Sequence, residues 1–180
     1  MDDQDFEAKL FRPVDKYGDK YVEHLLEQYK LYLNSAEKIS DRRQAANTFF
    51  LGLNTAFLSL LAWIKTKPET GSSLVFIAAS FSGAIVCYFW YRMMRSYRDL
   101  NGAKFMVIHA IEKRLPLSMY DVEWDIVERG QNRGKYWPFS HIEMKVPAIF
   151  IVIYCIVLAS ESARLLIYLV TLVSHWLLHR

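Results

Sequence analysis

His175 and His179 stand four residues apart, the helical spacing at which two imidazoles can clamp a metal ion, yet no Glu or Cys joins them to complete a ligand set. They read more simply as polar residues closing a helix, and His24, His109 and His141 are scattered. Asp121, Glu123, Asp125 and Glu128 offer carboxylates for acid–base work, but their spacing describes the solvated face of a short helix. No glycine-rich phosphate loop, nucleophile elbow or paired-carboxylate pocket occurs, so neither catalysis, nor a metal, nor a cofactor is expected. Cys87 and Cys155 both fall inside apolar runs, which predicts buried thiols and no disulfide. The remaining pair of interest is Glu161 and Arg164, three residues apart between two apolar stretches. Two readings of it stand: an ionisable pair at membrane depth with a functional role, or a pair at the outer interface, where charge is cheap.

These groups belong to a chain organised by long apolar blocks. Gln44 to Ile64 and Gly71 to Tyr91 are uncharged runs of about twenty residues, enough helix at ~1.5 Å per residue to cross a hydrocarbon core of about 30 Å. Only Lys65 to Thr70 separates them, so an antiparallel hairpin of spans 45–64 and 71–91 is expected. The first run starts after some forty residues rich in charge, which predicts that no signal peptide is cleaved and that the first span directs insertion. Lys38, Arg42 and Arg43 precede the hairpin and Arg92, Arg95, Arg98 and Lys104 follow it, against Lys65 and Lys67 in the connector. By the positive-inside rule the flanks and the N-terminus are cytoplasmic. A net charge of +3 is too small to point to nucleic acid.

Four segments follow. Residues 1–44 form a cytoplasmic arm, irregular through residue 18, then an amphipathic helix. Its seam of Val22, Leu25, Tyr29, Tyr32, Ala36, Ile39 and Arg43 repeats every 3.5 residues. The spans occupy 45–91. Residues 92–145 are a cytoplasmic helical region: a helix through Leu115 stopped by Pro116, a short helix capped by Ser118, a loop over 130–139, and a capping box at Ser140–Glu143. Residues 146–180 form a third transmembrane helix, whose phase across Glu161 and Arg164 favours one continuous element, too long for the bilayer, over a re-entrant turn. The class is all-α.

Within the spans the side chains segregate. Gln44, Asn47, Thr48, Asn54, Thr55 and Ser59 share one arc with Gly52 and Ala56, while Phe49, Phe50, Leu53, Phe57, Leu60 and Leu61 suit lipid. An unpaired amide in hydrocarbon costs several kcal/mol, so Asn47 and Asn54 must face protein or water. Interhelical hydrogen bonding is favoured over a pore lining. Ser73, Ser80 and Cys87, with Gly83 and Ala84, form a small-residue packing stripe on the second span. Tyr154, Glu161, Arg164, Tyr168 and His175 keep one phase as a polar stripe on the third. Arg92, Arg95 and Arg98 lie next to the membrane, placed for inter-subunit salt bridges or for anionic headgroups.

The ordered motifs Glu37–Arg43, Asn47–Asn54, Tyr91-Arg92, Arg95–Asn101, Lys104-Phe105, Glu112–Pro116, Tyr120–Trp124, Ile142-Glu143 and Val146-Pro147 resemble those of the RipA-family octameric membrane proteins. The resemblance covers residues 20 to 160. It implies a bacterial inner-membrane protein assembling as a homo-octamer, with self and membrane lipids as partners, and it brings no reaction. Three functions are open: a pore-like, channel-like or envelope-stress ring; a scaffold organising lipids or partner proteins; and a membrane-disrupting effector of a defence system.

Overall fold

The computed structural model describes residues 2–66, 72–132, 134–136 and 142–178, the side chain of Asp3 excepted. Six α-helices occur among them: α1 (Asp3–Leu10), α2 (Val14–Tyr17), α3 (Tyr21–Lys65), α4 (Ser73–Glu112), α5 (Met119–Ile126) and α6 (Lys145–Leu178). A single 3-10 turn, Glu128–Gly130, follows α5, and no strand occurs among the described residues. By length and composition α3, α4 and α6 can each cross a membrane. The chain divides into two compact units, one of residues 1–44 and 96–139, the other of 45–95 and 140–180, so α3 and α4 contribute to both.

The first unit is built on the 3.5-residue seam. Tyr29 and Ala36 of α3 are buried with Ile108, Ala110 and Ile111 of α4, and Leu25, Tyr32 and Phe105 close around them. Each aliphatic side chain fully withdrawn from water contributes about 1.5–3 kcal/mol, which is why the seam closes inside the protomer. Val22, predicted to belong to it, is 69% exposed. Lys104 donates to Ser35 Oγ at 2.9 Å and lies 4.4 Å from the centre of the Tyr32 ring. Residues 1–18 were expected to be irregular; the described part, 2–18, instead holds α1 and α2, and Phe11 between them is buried. The anchor is remote in sequence: the Arg114 guanidinium lies 3.3 Å from the centre of the Phe11 ring and donates to Tyr21 Oη at 3.2 Å. A cation–π contact of that kind gives a weakly helical arm somewhere to dock.

Beyond α4 two expectations are corrected. The helix ends at Glu112, before the predicted Leu115, and residues 113–115 turn ahead of Pro116. Ser118 does not cap α5; its hydroxyl donates to the Glu112 carbonyl at 3.4 Å, and the cap comes from Glu112. After α5, Glu128, Arg129 and Gly130 take positive φ values of 54°, 50° and 70°. Two of the three carry a Cβ that disfavours this region, and ion pairs hold them there. Arg129 donates to Asp125 at 2.7 Å and to Asp121 at 3.2 Å, and Lys135 reaches Glu128 at 3.1 Å. The capping box at Ser140–Glu143 falls partly outside the described residues.

The second unit holds the apolar stretches. Trp90 is fully buried, stacked on Phe50 with centroids 5.9 Å apart and tilted against Phe150 at the same distance. Phe57 meets Tyr154, and Leu61 is buried. Phe50, Phe57 and Leu61 therefore turn inward, whereas Phe49, Leu53 and Leu60 remain exposed. Cys87 is buried as expected; Cys155, on the outer side of α6, is exposed. Every residue from Leu166 to Leu178 is exposed.

Candidate functional site

The polar arc of α3 splits into two faces. Asn54 is 2% exposed and both ends of its amide are engaged: Nδ2 donates to the Phe50 carbonyl at 2.8 Å, and Oδ1 accepts from Cys87 Sγ and Tyr154 Oη, both at 3.1 Å. One neutral side chain thus joins α3, α4 and α6. Asn47 Oδ1 accepts from the Trp90 indole N–H at 3.1 Å. Thr55 and Ser59 are exposed, and their hydroxyls donate to the carbonyls four residues back, Leu51 and Thr55, at 2.8 Å. Thr48, Gly52 and Ala62 are exposed on the same side, so a small and polar stripe at three- and four-residue spacing runs along α3 with no cover from the described residues of its unit.

The α4 stripe meets α6. A Cβ at Gly83 would lie 2.5–2.9 Å from three ring carbons of Tyr154, a separation that only glycine permits. Ser80 is fully buried, and its hydroxyl has no partner among the described residues. Ala84 is half-buried beside it. Ser73, at the start of α4, donates to Glu161 Oε2 at 3.3 Å.

Glu161 is 2% exposed. Its carboxylate accepts from Lys65 Nζ at 2.7 Å as well as from Arg164 at 3.5 Å, so the pairing expected within α6 is the longer of the two. Lys65 is the last residue of α3 and Ser73 the first of α4, and a single carboxylate ties both ends to α6. Lys65 was not among the predicted site residues; its one legible signal is a cation that ends an apolar run. Of the rest of the α6 stripe, Tyr154 is buried, while Arg164, Tyr168 and His175 are exposed. Arg92 and Arg95 are exposed, and Arg98 pairs with its neighbour Asp99 at 2.9 Å.

The first unit has a hub of its own that the sequence did not reveal. Glu112 is fully buried and accepts from Tyr29 Oη at 2.8 Å and from the backbone N–H groups of Tyr120 and Asp121 at 3.1 Å. Those amides are the second and third of α5, which an Ncap side chain ordinarily satisfies; here the carboxylate also meets the positive end of the helix dipole. Burial, and then the hydrogen bond to Glu112, push the Tyr29 phenol well above its usual range. No cluster of His, Cys, Asp and Glu suited to a metal occurs among the described residues.

An all-α chain with three helices fit to span a bilayer, its buried polar groups joining helices to one another, is an integral membrane protein in class. Its sequence matches the octameric membrane protein family (8xMP) over residues 26–163, and the protein belongs to that family. It is accordingly a homo-oligomeric membrane protein. No curated protein matches it, and no solved structure does.

Proposed function

We propose that the protein forms a non-catalytic, pore-like homo-octameric ring in a bacterial inner membrane, of the RipA type. In this reading α3 and α4 make an antiparallel hairpin, α6 is the third span, and the first unit with the N-terminus is cytoplasmic. The order of contacts supports the hairpin: Asn47 meets Trp90, and the later Asn54 meets the earlier Cys87. The observation that carries the ring is the uncovered stripe of Thr48, Gly52, Thr55, Ser59 and Ala62. Phe49 and Leu60, 62% and 50% exposed, occupy a neighbouring arc and already supply a surface for lipid. A second, small and hydroxyl-bearing surface is wasted on acyl chains but suits a neighbouring subunit or a wet axis.

The test is ion flux from liposomes holding the full-length protein. Flux that falls when Thr55 and Ser59 are both replaced by Leu, and persists with Phe49→Leu, is the expected result. No flux in any ionic gradient, together with lipid filling the ring centre, would replace the pore with a scaffold.

A further inference from the structure

Helix α5 carries an apolar ridge that its own unit leaves uncovered. Met119, Val122 and Ile126, at the i, i+3, i+7 spacing of one helical face, are 57%, 55% and 62% exposed, and Leu117 just before them is 66% exposed. The other side of the helix faces inward: Tyr120 meets Phe105 edge-on with centroids 5.8 Å apart, and Trp124 is half-buried. The ridge is held firmly, because the Glu112 carboxylate grips the first turn of α5.

Charge decides what can cover it. Within Met119–Ile126 there are three acidic side chains, Asp121, Glu123 and Asp125, and no basic one; Arg129 just beyond pairs with Asp125 and Asp121, which leaves Glu123 as the carboxylate beside the ridge. Amphipathic helices that settle on anionic bilayers carry Lys and Arg beside the apolar face, and α5 has none within its length. A protein face that is apolar with a basic rim is the complement. Membership of an octameric family supplies further copies of this chain, and a closed cyclic ring needs two unlike, complementary patches on each copy. The outer side of α4 in the same unit provides the second. Met106 is 63% exposed, Gly102 and Ala103 one turn earlier are exposed with open space beyond Gly102, and Lys113 is exposed just past the helix end.

We propose that the Met119–Val122–Ile126 ridge of each copy seats on α4 of the next, against Gly102, Ala103 and Met106, with Glu123 facing Lys113. The interface rests on the octameric assembly and adds to it the surface through which neighbours meet.

The experiment uses the full-length protein in nanodiscs, its mass read by native mass spectrometry. Wild type is measured first; a particle that is not oligomeric would remove the assembly and this interface together. With the wild type octameric, Val122→Glu combined with Ile126→Glu is expected to abolish the octamer while the helical circular dichroism stays unchanged. In a Cys155→Ser background, Val122→Cys plus Met106→Cys on one chain should oxidise to a ladder reaching eight copies, and Val122→Cys alone should give no dimer. An octamer that survives the double Glu variant and yields no ladder overturns the interface and leaves the octamer standing. Were that variant instead to lose binding to phosphatidylglycerol vesicles, the ridge would be a membrane contact and the proposal wrong.

Discussion

In each unit a buried polar side chain joins three helices, Asn54 in the second and Glu112 in the first, and these two hubs differ in charge. Asn54 joins three helices of the second unit through a neutral amide, and Glu112 joins α3, α4 and α5 of the first through a carboxylate. Both receive a tyrosine hydroxyl, from Tyr154 and Tyr29 respectively. The division fits the proposed placement, with the second unit in the bilayer and the first outside it. A carboxylate flanked by two backbone N–H groups and a phenol is well solvated by protein dipoles, whereas a charge near the middle of a bilayer costs about 2.5–3.5 kcal/mol even on the most lenient scale. The charged exception in the second unit, Glu161, is paired with Lys65, at the end of α3.

The comparison breaks most readily at Glu112. Glu112→Ala strands two α5 amides and the Tyr29 hydroxyl, and at about 1–3 kcal/mol for each buried group left unsatisfied we expect a loss of ~3 kcal/mol or more. Hydrogen exchange should show protection of α5 gone; protection at the wild-type level would mean that α5 is held by its apolar contacts alone. Exchanging the chemistry of the other hub is nearly as severe. Asn54→Asp keeps the shape and adds charge, for an expected cost of about 2.5–3.5 kcal/mol, while Asn54→Leu, which deletes the contacts and leaves the buried Tyr154 hydroxyl without its acceptor, should cost about 1–2 kcal/mol. Reversible unfolding in mixed micelles would separate them, and equal costs for the two variants would contradict a hub chosen for neutrality.

Packing around the amide is tested by Gly83→Val. With Tyr154 fully buried, the ring has nowhere to retreat, and overpacking should cost about 1–3 kcal/mol in the same assay. A neutral result would show that α6 can shift away from α4 at little cost.

The smallest effect concerns a charge at the surface of the first unit. The hydrogen bond from Lys135, and then one from Asn132, hold the Glu128 carboxyl below the usual glutamate range. Because the folded value is the lower one, the contribution is present above the ordinary glutamate pKa and fades as pH falls through the folded value. Carboxyl NMR titration should place Glu128 low in wild type and move it upward in Lys135→Met; an unmoved midpoint would argue against the pairing.

Much of the second unit could be read from residue spacing. The three apolar stretches, the requirement that Asn47 and Asn54 find partners, and the small stripe through Gly83 all follow from what hydrocarbon does to polar and bulky groups. The wheel of α3 erred in one respect. It put Phe50, Phe57 and Leu61 on the lipid side and kept Thr55 and Ser59 with the asparagines. Hydropathy separates polar from apolar, but it does not say which arc meets α4 and α6. Glu112 was legible only as part of a short motif, because its partners Tyr29, Tyr120 and Asp121 are brought to it by packing, one of them from 83 residues away. Ser118 misled for the same reason: a local capping pattern was outcompeted by a carboxylate held in place by the preceding helix.

The sequence by itself determined that this chain is all-α and built around spans of bilayer length, since an apolar helix of about twenty residues has few other stable environments. It also determined family membership through motifs in fixed order. Only the tertiary structure decided which polar side chains are consumed within the protomer and which stay open. Hydrogen-bond partners and burial depend on the rotation of each helix against its neighbours, and periodicity leaves that angle free.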